Sequence, residues 1–319
     1  MSVGPSSTVL VTGGSGLVGR AVEAVQRRST NLCGQWIFLS SREADLRLMG
    51  ATRSVFDTYR PSHVIHLAAK VGGLYSNMRT PVEMWMDNVS INNNVLECCR
   101  LYGVRKLVSC LSTCVFPDSV AHPIREEMLH DGPPHCSNEP YAYAKRMMDV
   151  MNRAYNTQYS CHFTSIIPTN VYGPYDNYNL ESSHVVPGLI HRFYLAMREG
   201  LPVTVMGTGK PMRQFLYSED LAELITWVLC NYEEVEPIIL SVDERDELCI
   251  ADVARLIAQS MGYTGEINFD TTKSDGQFKK TADNSKFRRY LPDYKFTPIA
   301  EGIQRTVNWF VDNYDIARK

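Results

Sequence analysis

The stretch SCLSTCVFPD, Ser109 to Asp118, brings an apolar run to a stop at Ser112, Thr113 and Cys114. Ser112 and Cys114 are two positions apart, which on an extended chain is the same face. A hydroxyl and a thiol therefore look into one space where a strand ends. Further on, PYAYAKRMMDV places Tyr141 and Lys145 four residues apart, on one face of a helix. A phenol, with a pKa of about 10, handles protons poorly at neutral pH. An ammonium one turn away stabilises the phenolate and brings the group toward working range. Tyr143 has no such partner, so Tyr141 is the candidate. Taken alone the Y-x-x-x-K spacing is common on exposed helices, and it gains weight from what lies upstream.

There, VLVTGGSGLVGRAV carries Gly13, Gly16 and Gly19 in the pattern G-x-x-G-x-x-G, after a strand and opening a helix. A dinucleotide site needs glycine at such positions for a tight turn, for close approach to a pyrophosphate and for helix–strand packing. The helix N-terminus then offers free N–H groups to the phosphates. An ordinary glycine-rich turn is the alternative; the strand before and the helix after argue against it. The next strand ends in LSSREADL, so Ser40, Ser41 and Arg42 stand where an NAD-binding site places an acid. The Arg42 fork suits a ribose 2′-phosphate, although surface arginines often point only at water. Asp45 lies further along and meets the adenine. NADP(H) is the cofactor favoured, and Lys145 would also hold its nicotinamide ribose hydroxyls.

The elements that position these groups alternate. Strands are expected at 8–12, 36–40, 63–69, 106–112 and 161–168, with helices after the glycine loop, around 50–59, at 88–102 and at 141–158. Such alternation indicates a parallel sheet with right-handed crossovers, covered on both faces. Beyond Pro168 the texture changes. TNVYGPYDNYNLESSHVVP has no clear period and reads as a functional loop. Helices are expected near 187–199, 218–231, 250–261 and 299–314. The fold class is α/β, a Rossmann-type doubly wound parallel sheet with a smaller α/β C-terminal substrate lobe. Residues 1–168 form the dinucleotide-binding domain, rejoined by about 214–240 and the C-terminal helix, and 169–319 mainly form the lobe.

The chain has 319 residues, 44% hydrophobic and 21% charged, with a net charge of −3. No global basic field advertises nucleic acid. No run of about 18 apolar residues suggests a membrane span, and MSVGPSSTVL lacks the layout of a secretory signal. Nine cysteines, an odd number without regular spacing, fit a reduced cytoplasmic setting. His130, His135 and Cys136 cluster without paired ligand spacing, so no metal is expected. His63 and His66 frame an apolar strand and read as packed or capping groups.

TGGSGLVG, HLAA, Ser112 and YAYAK together resemble the extended short-chain dehydrogenase/reductase family over nearly the whole chain. The resemblance implies that Ser112 hydrogen-bonds a reacting carbonyl, that Tyr141 donates or removes its proton, and that hydride passes to or from nicotinamide C4. One branch is similar in more detail, the GDP-L-fucose synthases, NADPH-dependent 3,5-epimerase/4-reductases of GDP-4-keto-6-deoxymannose. The motifs that carry this are LSTCVFP, AAKVGGLYSN, PTNVYGPYDNYN, HVVPGLI and DGQFKK.

That chemistry explains the thiol. Protons at C3 and C5 are α to the C4 ketone, and removing either makes an enolate that Ser112 and Tyr141 would stabilise. Cys114 would be the base, since a thiol with a pKa of about 8.5 is tunable by nearby positive charge. His184 would return the proton from the opposite face. The bland alternatives are a small buried thiol and a loop histidine. The resemblance also places cofactor contacts at Gly13, Gly14, Ser15, Gly16, Leu17, Val18 and Gly19, and at Ser41, Arg42, Asp45 and Leu46. More follow at Leu67, Ala68 and Ala69, then at Lys145, Pro168, Asn170, Val171 and His184. Arg192, Met206, Arg213, Asp275 and Lys280 are the implied substrate contacts. Met206 departs from the tryptophan that relatives often carry there and gives softer contact. A homodimer through helices 88–102 and 141–158 is likewise implied. A 4-epimerase would have no need of the Cys–His pair, and a 4,6-dehydratase usually shows an acidic pair where Cys114-Val115 stands. A non-catalytic NADPH-binding sensor would not need Ser112, Tyr141 and Lys145 together.

Overall fold

The computed structural model describes residues 3–319, so the first two residues of the N-terminal tail lie outside the description. The first half alternates as the apolar periodicity requires. Strand β1 (Thr8–Thr12) leads to helix α1 (Leu17–Arg28), β2 (Gln35–Leu39) to α2 (Met49–Tyr59), and β3 (His63–His66) to α3 (Leu74–Arg79) and α4 (Pro81–Leu101). Then come β4 (Lys106–Cys110), α5 (Glu139–Tyr159) and β5 (Phe163–Pro168). Helix α4 begins well before the expected residue 88, because Pro81 fits the first turn, where no backbone N–H is needed. The short α3 was not expected from periodicity at all.

The second half supplies β6 (Asn170–Tyr172), α6 (Val185–Glu199), β7 (Val203–Met206), β8 (Met212–Arg213), β9 (Phe215–Tyr217) and α7 (Ser218–Asn231). It continues with β10 (Ile238–Leu240), β11 (Leu248–Cys249), α8 (Ile250–Met261), β12 (Ile267–Asp270), α9 (Ser285–Tyr290) and α10 (Ile299–Asp312). The six-stranded central sheet has the order β10-β5-β4-β3-β1-β2 and is parallel throughout. Its strands are apolar on both sides because both are covered. One face packs on Val55, Phe56, Val95, Leu96 and Met148 from α2, α4 and α5. The other packs on Val22, Val25, Leu221, Ile225 and Leu229 from α1 and α7. Lys106 is the conspicuous polar residue in this core. Its ammonium caps the carbonyls of Val228 and Tyr232 at the end of α7, which satisfies both partners at once.

Helix α7 and β10 thus return to the sheet. The C-terminal helix does not. Expected on the dinucleotide-binding domain, α10 instead buries Ile303, Val307 and Phe310 in a third core shared with α6, α8, β7 and β9. Phe310 stacks on Tyr178 at 4.3 Å, so the aromatic loop after β6 supplies the surface that claims this helix. The lobe is completed by three two-stranded pairings, β6 with β9, β7 with β12 and β8 with β11. All nine cysteines are free, and among the described residues no helix is long and apolar enough to cross a membrane.

Candidate active site

A cleft of about 1030 Å³ lies between the C-terminal ends of the sheet strands and the lobe. A single-ligand pocket is roughly 300–1,000 Å³, so this one stands at the top of that range. Its position outside the carboxyl ends of a parallel sheet is where doubly wound folds bind.

One end is built from the turn after β1. Gly13 sits at φ +71°, and a Cβ there would come within 2.9 Å of the Ala68 nitrogen. A Cβ on Gly19 would lie 2.4 Å from the Gly13 carbonyl oxygen, so α1 can approach the turn only with glycine at that position. No side chain caps α1, which leaves its first N–H groups free for phosphate oxygens. This cradle fits a dinucleotide. Gly13, Ser15, Gly16, Leu17, Val18 and Gly19 line the cleft, as do Ser41, Asp45, Leu46, Leu67, Ala68 and Ala69. Two of the expected contacts do not. Gly14 is turned against the sheet, where a Cβ would strike Phe38 at 2.5 Å. Arg42 is exposed and off the cleft wall, because Glu43 closes the turn by accepting from the Ser40 amide and hydroxyl, each at 2.7 Å. The guanidinium on the wall is that of Arg47, held by Asp45 at 2.8 Å and Asp87 at 3.4 Å.

At the other end the chemistry is carried by side chains. Strand β4 stops at Cys110, and Thr113–Val115 form a tight 3-10 turn rather than the extended chain expected. Ser112 Oγ accepts from the Cys114 amide at 3.4 Å, and the turn brings hydroxyl and thiol to the same cleft by another route. The Ser112 hydroxyl hydrogen is left to donate elsewhere. Tyr141 and Lys145 enter from α5, and Lys145 donates to the Cys110 carbonyl at 2.9 Å. Lys145 was expected to draw the phenol pKa down. Burial dominates instead, and with the Cys114 and Cys110 thiols it raises Tyr141 well above its ordinary value. Burial likewise pushes the Cys114 thiol up, opposed first by the Lys280 ammonium, then by the Ser112 hydroxyl and Lys145.

His184 is the N-cap of α6 and faces the cleft. It is open to the water of the cleft yet crowded by protein on every side, and that desolvation, with Arg318 beyond it, lowers its pKa. Pro168, Asn170 and Val171 line the wall between the two ends. Arg192, Met206, Arg213, Asp275 and Lys280, the expected substrate contacts, all line the cleft. Asp275 is occupied in holding the turn after β7, accepting from the Thr208 amide and hydroxyl at 2.7 Å each. Arg213 pins the segment that carries Lys280, donating to the Gln277 carbonyl at 2.5 Å.

Residues 9–242 match the model of the NAD dependent epimerase/dehydratase family. The chain belongs to that family. A GDP-L-fucose synthase of Dictyostelium discoideum is 57% identical over 312 residues, 98% of each chain. One from Escherichia coli is 32% identical over 96% of this chain and 97% of that one. A solved GDP-L-fucose synthetase of Naegleria fowleri, bound to NADP, superposes with a TM-score of 0.95 at 51% identity, covering all of this chain and 97% of that one.

Three further cleft residues were not singled out from the sequence, although Asp176 lies within PTNVYGPYDNYN and Lys70 within AAKVGGLYSN. Asp176, in the aperiodic loop, is 3% exposed, and its Oδ2 has no partner. Burial pushes its pKa up to about 7, against the pull of the Asn177 amide and of Arg318. Arg318 reaches the cleft because the Tyr178 amide donates to its carbonyl at 2.7 Å, folding the chain end back. Lys70 follows HLAA directly and pairs with Asp87 at 3.1 Å. Its place in these motifs was the signal that could have found it.

Proposed function

We propose that this chain converts GDP-4-keto-6-deoxy-D-mannose to GDP-L-fucose, by epimerisation at C3 and C5 followed by NADPH-dependent reduction at C4. The observation that carries the reading is the convergence of Ser112, Cys114, Tyr141, Lys145 and His184 on one cleft that also holds the dinucleotide cradle. The relatives' names point to the same reaction.

The residues divide the work. Ser112 and Tyr141 hold the C4 carbonyl oxygen. A phenol kept protonated by burial donates a hydrogen bond to that oxygen as negative charge gathers on it. Cys114, as a thiolate stabilised by the Lys280 charge, takes the proton at C3 and, in a separate step, at C5; between the two the thiol gives up its proton to the water of the cleft and His184 regains one. His184 returns a proton to the opposite face, and its lowered pKa makes its protonated form a stronger acid. When bound, NADPH would supply the hydride for C4 once both centres are inverted. Tyr141 gives its proton to the C4 oxygen, and Lys145 orients the nicotinamide ribose. Arg192 and Arg213 supply positive charge suited to the diphosphate.

A homodimer in the cytoplasm completes the reading. Its support is an apolar strip on α4 and α5, where Trp85, Met147 and Val150 line a groove of about 210 Å³ and Val82 and Met86 are also exposed on α4. Nine free thiols suit a reducing compartment. A sedimentation mass of one chain, 36.1 kDa, would remove the dimer. The function itself is tested by incubating the protein with the keto sugar and NADPH in heavy water. Deuterium at C3 and C5 of a GDP-L-fucose product is expected, and a reduced sugar without deuterium leaves only a plain reductase.

A further inference from the structure

His66 ends β3 fully buried and does not line the cleft, yet both its ring nitrogens are used. Nδ1 lies 2.8 Å from Thr12 Oγ1, and Nε2 lies 3.1 Å from Asn92 Oδ1. Chemistry fixes the direction of each bond. The Thr12 oxygen already accepts from the Leu67 and Ala68 amides, both at 3.2 Å, so its own hydrogen is what it offers to Nδ1. A neutral imidazole that accepts at Nδ1 carries its proton on Nε2 and donates it to Asn92 Oδ1. The Asn92 amide nitrogen then donates to the Ala144 carbonyl at 3.2 Å, in the peptide that precedes Lys145. Burial, helped by the Lys145 charge, pushes His66 down to about 3, so the ring stays neutral and the chain does not reverse at working pH.

Thr12 closes β1 and opens the glycine turn, while α5 packs on α4 and β5, with β3 and β4 between β5 and β1 in the sheet. We infer that Thr12, His66 and Asn92 form a positioning relay that fixes the dinucleotide turn relative to the helix bearing Tyr141 and Lys145. The inference rests on the reading proposed above. Helix α5 has separate ties to the sugar side, Lys145 to the Cys110 carbonyl at 2.9 Å and Arg146 Nε to the Val115 carbonyl at 2.7 Å. Loosening the relay therefore moves α5 and the Ser112–Cys114 turn together against the cofactor. Hydride transfer suffers, and proton exchange at the sugar does not.

The test compares Asn92→Leu, which removes both bonds, with Asn92→Asp, which keeps the acceptor for His66 and loses the donor to Ala144. Deuterium uptake at C3 and C5 is measured with oxidised NADP present, and reduction with NADPH. In Asn92→Leu, reduction is expected to fall about 30-fold, since an ångström of misplacement can cost roughly 100-fold. Exchange should stay within about 3-fold in both variants, with Asn92→Asp intermediate in reduction. Should Asn92→Leu not fold, the same split in Asn92→Asp decides. Unchanged reduction, or exchange and reduction falling together beside a wild type that exchanges normally, overturns the relay. A wild type that does not exchange overturns the functional reading, and the relay as stated with it.

Discussion

The dinucleotide end of the cleft is made largely of backbone, and the sugar end largely of side chains. At the first, Gly13, Gly19 and the uncapped start of α1 present N–H groups and close approach from one contiguous turn. At the second, Cys114, Tyr141, His184, Arg213 and Lys280 come from five separate segments, several of them irregular. At the side-chain end burial has moved the titrating groups away from their ordinary values: Cys114 and Tyr141 up, His184 and Lys280 down. The contrast teaches that one end is built for binding and the other for moving protons.

The sharpest way to break that division is Cys114→Ser. The serine keeps size and polarity but has no accessible anion at neutral pH. Deuterium uptake at C3 and C5 is expected to fall by about 10⁴-fold, the upper range for loss of a positioned base. NADPH binding, measured by fluorescence titration, should be unchanged. Normal exchange in this variant would show that the proton leaves by another group, and the sugar end would lose its distinguishing chemistry.

How much could be read from the chain follows the same division. The glycine turn, the parallel alternation and the Tyr141–Lys145 pair were legible because each depends on local spacing, and local spacing is what periodicity records. Ser112 and Cys114 were placed together correctly for a reason the structure replaces: a 3-10 turn, not an extended face, brings them to the cleft. Helix α10 was assigned to the wrong partner because its amphipathic stripe states that a face is buried, not against what. The burial of Asp176, which lies in a quoted motif, and the approach of Arg318 could not be read because both depend on the chain end folding back onto the loop after β6. Arg42 was read from its register after β2, and the Glu43 cap that turns it outward is a side-chain event that register does not carry.

Arg42 is nevertheless the cation free to serve the cofactor end. Arg47 stands on the wall, but its charge is already shared with Asp45 and Asp87. Arg42 has no partner among the described residues and lies one position from Ser41, which lines the cleft. Swinging inward, its fork would meet a 2′-phosphate. In Arg42→Ala the preference for NADPH over NADH, as a ratio of kcat/KM values, is expected to fall about 10-fold, the loss of one exposed charge-assisted contact. An unchanged ratio would return the phosphate to Arg47 and would mean that this end, too, depends on side chains that must rearrange.

The smallest effect belongs to Asp176, a cleft carboxyl with burial as its main perturbation. Its folded pKa of about 7 lies above the ordinary 3.8. Between those values the unfolded chain has lost the proton and the folded chain keeps it, so stability falls as pH rises through this window and levels off above it. Below pH 3.8 both states are protonated and the residue is neutral in the balance. Asp176→Asn, which keeps an acceptor for the Asn177 amide, should therefore gain about 1 kcal/mol of stability at pH 8 and nothing at pH 3. That modest figure allows for screening by water in the cleft and for the nearby Arg318 charge. Urea unfolding at the two pH values measures it. A variant that loses stability at pH 8 would mean that the carboxylate is ionised and paired with Arg318, and that the burial of this carboxyl is weaker than the orphaned Oδ2 implies.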